Sequence, residues 1–225
     1  MNASADGLSA REGVAALYKH EFWIEENQKH VPAHYRLRKS AQIVNAIAGR
    51  TERQLLDVGC GPATLMRLLR PNIHYHGIDI AIQDPAPNLI QSDVLVDPIR
   101  FDGKTFDIIT ALGLFEYLAG SQDTKLAEVA ELLSERGRFV VTYTNFGHRD
   151  RRIFKAYSNV QSFDDFRRDL SRYFVIDRYY PTAYNWNGGQ PVRPLLKAAN
   201  MPVRVNIPLV GPKLAVEYFF ICTRL

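Results

Sequence analysis

The run Leu55-Leu56-Asp57-Val58-Gly59-Cys60-Gly61-Pro62-Ala63-Thr64-Leu65 is an apolar strand that ends in a carboxylate, turns through Gly-X-Gly and enters a helical Leu/Met pattern. Glycines after a strand let the backbone pass close to a small molecule, because no Cβ blocks the approach. The first turn of a following helix offers unpaired N–H groups to a carboxylate or phosphate. The stretch therefore reads as a ligand loop between a strand and a helix. The dinucleotide fingerprint Gly-X-Gly-X-X-Gly is not met, since Thr64 occupies its third glycine position.

Outward from this loop, strands and acidic strand ends recur. Ile73-His74-Tyr75-His76-Gly77-Ile78-Asp79 reads as a second strand, and Asp79 lies 79 − 57 = 22 residues after Asp57. That is close to the interval at which a carboxylate meets ribose hydroxyls in a βαβ nucleotide site. Pro85 and Pro87 leave little room for a helix after it, so this crossover reads as a loop. Asn88-Leu89-Ile90-Gln91-Ser92-Asp93-Val94 reads as a third strand with an acidic end, and Phe106 to Leu112 as a buried fourth. A helix from Asp123 to near Gly137 then leads into a fifth strand, Arg138 to Tyr143.

Asp57, Gly59 and Gly61, followed by Ala63, resemble the Asp/Glu-X-Gly-X-Gly-X-Gly motif of class I S-adenosylmethionine-dependent methyltransferases, with alanine in place of the third glycine. Alanine fits there at negative φ within a helix and is strained otherwise. The resemblance extends over about residues 55 to 144 and includes Leu114-Phe115-Glu116-Tyr117, although Tyr117 stands where the family's segment has histidine. No role of that histidine, metal binding included, carries over.

The resemblance implies a doubly wound α/β fold with a mainly parallel seven-stranded sheet in the order 3-2-1-4-5-7-6, the last strand antiparallel. It also implies the donor S-adenosyl-L-methionine, with S-adenosyl-L-homocysteine as product. The donor site it implies comprises Asp57, Gly59, Cys60, Gly61, Asp79, Ile80, Asp93, Val94, Leu112 and Arg38. Within that site Asp79 takes the ribose, Asp93 the adenine amino group and the backbone beside it a ring nitrogen. The glycines lie under the methionine portion. Arg36 and Arg38 precede the loop, where some relatives fork an arginine onto the donor's carboxylate; either also suits a solvated helix face.

Composition bounds the rest. At 225 residues, with 46% hydrophobic and 23% charged side chains, the chain suits one decorated α/β domain. The expected division is 1–50 as an N-terminal helical lid, 51–146 as the donor-binding core and 147–225 as an acceptor-side part with an insert at 181–214. No apolar run is long enough to span a bilayer and the N-terminus lacks the plan of a signal peptide, so a cytoplasmic location is expected. Cys60 and Cys222 form no disulfide framework and have no partners at metal-ligand spacing. A net charge of +4, spread along the chain, does not indicate nucleic acid, and no membrane partner is expected. The oligomeric state stays open, a homodimer included.

The lid begins with a capping box at Ser9 and Glu12, and its first helix, to about Gln28, carries Tyr18 and Trp23. A second helix places Leu37, Ala41, Val44 and Ile47 on one face and stops at Gly49. Ser162 caps a late helix, and Phe174–Tyr180 and Ala215–Cys222 pair as the last strands. His148, just past the fifth strand, is the candidate base for a hydroxyl or protonated-amine acceptor. Tyr18, Trp23, Tyr184 and Trp186 are candidate pocket walls and Arg149 a contact for an acidic acceptor. Each has a plainer reading as lid packing or wet surface. The function expected is methyl transfer to an oxygen or nitrogen of a small organic acceptor. The alternatives are a nucleic-acid methyltransferase, a non-catalytic donor-binding protein and, least supported, a dehydrogenase.

Overall fold

In the computed structural model, residues 35–82, 86–101, 103–118, 120–144, 161–184 and 215–225 are described. Helix α1 (Tyr35–Ala48) precedes strand β1 (Arg53–Val58). It buries Ala41, Val44 and Ala48, packs Leu37 and Ile47 against the same cluster, and ends at Gly49, whose φ of 59° reverses the chain. The strands that follow are β2 (Ile73–Asp79), β3 (Leu89–Gln91), β4 (Phe106–Leu112) and β5 (Leu133–Thr144). The last two are β6 (Phe174–Tyr184) and β7 (Ala215–Arg224). Helices α2 (Gln122–Leu132) and α3 (Phe163–Leu170) complete the described helices.

All seven strands form one sheet in the order β3-β2-β1-β4-β5-β7-β6, as the sequence implies. The pairs β1–β2, β1–β4, β2–β3 and β4–β5 are parallel, and β7 lies antiparallel between β5 and β6. Successive side chains of a strand point to opposite faces, and here both faces are dry. Leu55 and Ile108 join α1 in one apolar cluster. Leu56 and Ile109, their neighbours in sequence, face the other, which contains Leu126 and Val129 of α2 and Phe166 of α3. In that second layer Phe166 stacks on Tyr143, with ring centroids 4.2 Å apart. The Ser162 hydroxyl caps α3 by accepting from the Asp165 amide.

Four expectations need correction. The segment after the glycine loop is a five-residue 3-10 turn (Thr64–Leu68), so no helix N-terminus faces the loop. β3 is three residues long and leaves Asp93 in the turn beyond it, where Asp93 accepts from the Leu95 amide and its own amide donates to Asp97. α2 stops at Leu132, and Leu133–Gly137 belong to β5, with a register shift between Phe106 and Ile108 of β4 absorbing the change. β6 runs on through Pro181 to Tyr184, so the insert between the last strands starts after Tyr184.

Ala63 has φ 51° and ψ 32°, a left-handed conformation that a helix interior would not require, so the strained alternative holds. Its methyl group is buried against the α1-side core, which holds the residue in place. At a helical position glycine would be the costly substitution and valine a mild one. At this left-handed position the order reverses, and Ala63→Val should be less stable than Ala63→Gly by about 2 kcal/mol. Urea unfolding of the two variants checks this. Equal stability, or a more stable valine variant, would contradict it.

Candidate active site

The carboxyl ends of β1, β2 and β4 lie side by side, so the residues just beyond them share one rim. At β1 the chain turns through Gly59 (φ 74°), and the Gly59 and Cys60 amides both donate to the Ile78 carbonyl of β2. A Cβ on Gly59 would lie 3.2 Å from the Leu114 side chain, so even alanine would be crowded in addition to being strained.

Asp79 ends β2 and governs the loop. Its Oδ2 accepts from the Gly61 amide at 2.8 Å and its Oδ1 from the Ala81 amide at 2.8 Å. Burial raises its pKa, and the backbone donors work against that rise. Each carboxylate oxygen has a second lone pair, so Asp79 keeps capacity to accept from a diol. Half-buried Ile80 and Asp93 and buried Val94 follow on the same side.

Asp57 is engaged within the protein. Its Oδ1 accepts from the Thr110 hydroxyl of β4 at 2.6 Å and its Oδ2 from the Tyr75 hydroxyl of β2 at 2.8 Å. It thereby ties the three central strands together behind the loop, a positioning task. Burial pushes its pKa up to about 6 despite both hydroxyl donors. Cys60 and Cys222 are free, buried thiols with pKa values raised by burial.

At the neighbouring strand ends a second polar group gathers. Arg36 reaches down from α1, donating through Nη2 (2.6 Å) and Nε (3.2 Å) to Oε2 of Glu217 on β7, and through Nη2 to Thr144 of β5 at 3.3 Å. Gly113, just past β4, has a φ of 77° that favours glycine, and a Cβ there would also press on this guanidinium. Glu116, in the 3-10 turn Phe115–Tyr117, is 1% exposed and accepts from the Thr144 side chain. Its pKa is raised by burial and lowered by Arg36. Arg38, by contrast, is exposed on α1.

The fold thus brings Gly59, Cys60, Gly61, Asp79, Ile80, Asp93, Val94 and half-buried Leu112 to one rim. Tyr18, Trp23, His148, Arg149 and Trp186 lie outside the described residues, and Tyr184 is described as the last backbone position of β6, paired with Ala215. Among the described residues no His, Cys, Asp or Glu group could hold a metal. Sequence reasoning missed the Arg36–Glu217 pair and the Thr144–Glu116 contact. Glu217 carried a signal, as the one charged residue in the apolar run Ala215 to Cys222.

A family model described as a methyltransferase domain matches residues 33–174. The chain belongs to this family, and the sheet and its strand-end loop are those of an S-adenosylmethionine-dependent methyltransferase. Among solved structures, it is similar to a TehB-like S-adenosylmethionine-dependent methyltransferase from Corynebacterium glutamicum, at 17% identity, TM-score 0.59, covering 91% of this chain and 97% of that one. A methyltransferase complexed with the Trm112 activator from Haloferax volcanii matches at 16% identity, TM-score 0.62, with coverages of 92% and 96%. The 1,6-didemethyltoxoflavin-N1-methyltransferase of Burkholderia thailandensis, with that compound and S-adenosylhomocysteine bound, matches at 16% identity, TM-score 0.58, with coverages of 99% and 93%. No curated protein matches the sequence.

Proposed function

We propose that this enzyme methylates an oxygen or nitrogen of a small organic acceptor. The observation that carries the reading is the bridge at the strand ends where Arg36 ties α1 to β5 and β7 beside buried Glu116. A compact acceptor suits an enclosed, side-chain-lined end better than a polymer does. The Burkholderia relative, whose bound acceptor is a small heterocycle, supports the same reading.

The residues at the rim fit the donor. Glycine backbone without side chains accommodates its methionine portion over Gly59, Cys60 and Gly61, and Asp79 accepts from the ribose hydroxyls. Asp93 accepts from the adenine amino group, with the Val94 amide at a ring nitrogen and Ile80 and Leu112 against the apolar faces. When bound, S-adenosylmethionine supplies a methyl group on a sulfonium, the S–C electron pair remaining on sulfur after transfer. The chain's own contribution is alignment of acceptor and donor and exclusion of water. Of the two arginines before the loop, Arg36 is engaged by Glu217 and Thr144, which leaves Arg38 as the candidate for the donor's carboxylate. The reading keeps residues 1–225 as one domain, with the part of 1–50 that precedes α1 and the segment before β7 roofing the acceptor, while α1 itself packs on the sheet. Tyr18, Trp23, Tyr184 and Trp186 wall it, Arg149 contacts it and His148 serves as base for a hydroxyl. Among the described residues no helix is long and apolar enough to cross a membrane, and a cytoplasmic location belongs to the proposal.

Incubating the enzyme with methyl-labelled donor and a cell extract split by size tests the acceptor class. Label is expected in the small-molecule fraction; label confined to protein or nucleic acid would overturn the proposal. On the donor side, Asp79→Ala should weaken S-adenosylhomocysteine binding by about 1.5–3 kcal/mol, through lost charge-assisted hydrogen bonds. Calorimetry on the folded variant showing unchanged affinity would remove Asp79 from the ribose site.

A further inference from the structure

The group at the ends of β4, β5 and β7 contains two carboxylates, Glu116 and Glu217, facing one guanidinium, Arg36. Arg36 is committed to Glu217 and Thr144. Glu116 accepts from the Thr144 side chain, and its Oε2 is enclosed without a hydrogen-bond partner among the described residues. Leaving a buried carboxylate oxygen unsatisfied costs at least about 1–3 kcal/mol, so such an atom in a folded protein calls for an explanation, a ligand among them. The Arg36 side chain beside it is 20% exposed, so the group borders solvent on the Arg36 side.

The chemistry of the vacant lone pairs defines the ligand class. They need a donor, and among the described residues two carboxylates face one guanidinium here, a setting that disfavours an acceptor carrying a carboxylate or phosphate. A nitrogen becomes positively charged as it takes a methyl group, and negative charge fixed beside it stabilises that change in a water-poor site. A hydroxyl acceptor gains less from this field once it has lost its proton.

We infer that Glu116 is an acceptor-binding residue whose free carboxylate oxygen takes an N–H of a nitrogen acceptor, beside the buried Arg36–Glu217 pair. The inference rests on the small-acceptor reading for the location of the acceptor. It narrows the acceptor atom to nitrogen and leaves Glu217 the task of fixing Arg36.

Two donor analogues test it without an identified acceptor. Sinefungin carries a protonated amine where the donor carries its methyl group, and S-adenosylhomocysteine carries nothing there. By calorimetry the wild-type enzyme should bind sinefungin at least about tenfold more tightly, the size of one charge-assisted hydrogen bond. Glu116→Gln should remove most of that preference while leaving S-adenosylhomocysteine affinity unchanged, and Glu116→Asp, which keeps the charge, should restore part of it. A preference that survives Glu116→Gln in the folded protein would overturn the inference. If that variant does not fold, the wild type decides alone, and equal affinity for the two analogues overturns it. Acceptor size plays no part in these titrations, so their failure leaves the small-acceptor reading to the labelling experiment.

Discussion

Arg36→Leu should lower the unfolding free energy by about 3–5 kcal/mol at pH 7, the usual result of removing one partner from a buried ion pair. The guanidinium is the counter-charge for Glu217, whose side chain is 9% exposed, and it also lowers the pKa of fully buried Glu116. Leucine would leave both carboxylates in a low-dielectric site without the guanidinium that offsets their desolvation. The loss should depend on pH with a definite sign. Glu116 already has a pKa raised by burial, and without Arg36 it rises further. A carboxyl whose folded pKa exceeds its unfolded value destabilises the native state increasingly as pH climbs from the unfolded pKa through the folded one. Urea unfolding of wild type and variant at pH 4 and pH 7 should therefore show the smaller loss at pH 4. A loss under about 1 kcal/mol at pH 7, or one independent of pH, would contradict the assignment of Arg36 as the buried counter-charge.

Asp57 provides the second large effect. Its pKa is 3.8 in a model peptide and about 6 in the folded chain, raised by burial. Between these values the unfolded chain has released the proton and the native protein retains it, so stability falls as pH rises. The fall amounts to about 3 kcal/mol, complete above roughly pH 6, at about 1.4 kcal/mol for each tenfold change in proton affinity. Asp57→Asn cannot titrate, so subtracting its stability profile from that of the wild type isolates the residue from Asp79 and Glu116, which shift in the same direction. A flat difference profile from pH 4 to 7 would show that Asp57 is ionised at no cost in the fold.

The sheet was legible because its strands are short apolar runs with glycine, proline or carboxylate at their ends, and such punctuation is local. The run from Leu55 to Gly61 announced both the strand and its loop, and Asp79 followed at a spacing set by one crossover. For Ala63 the sequence leaves two conformations open, since nothing in the order of residues reveals the sign of φ at an alanine. The short β3 and the early end of α2 turn on the balance between competing hydrogen bonds in a few residues, which side-chain periodicity does not resolve. The group of Arg36, Glu116 and Glu217 was the least legible part. Arg36 and Glu217 are 181 residues apart, and only the sheet order, which sets β7 beside β5, makes them partners.

The most direct test is a crystal structure of the enzyme with S-adenosylhomocysteine. The ribose hydroxyls should lie at hydrogen-bond distance, about 2.7 Å, from the Asp79 carboxylate, with the adenine beside Asp93 and the methionine portion over Gly59 and Gly61. The product analogue seated elsewhere on the chain, with Asp79 bonded to backbone amides and not to the ribose, would contradict the account.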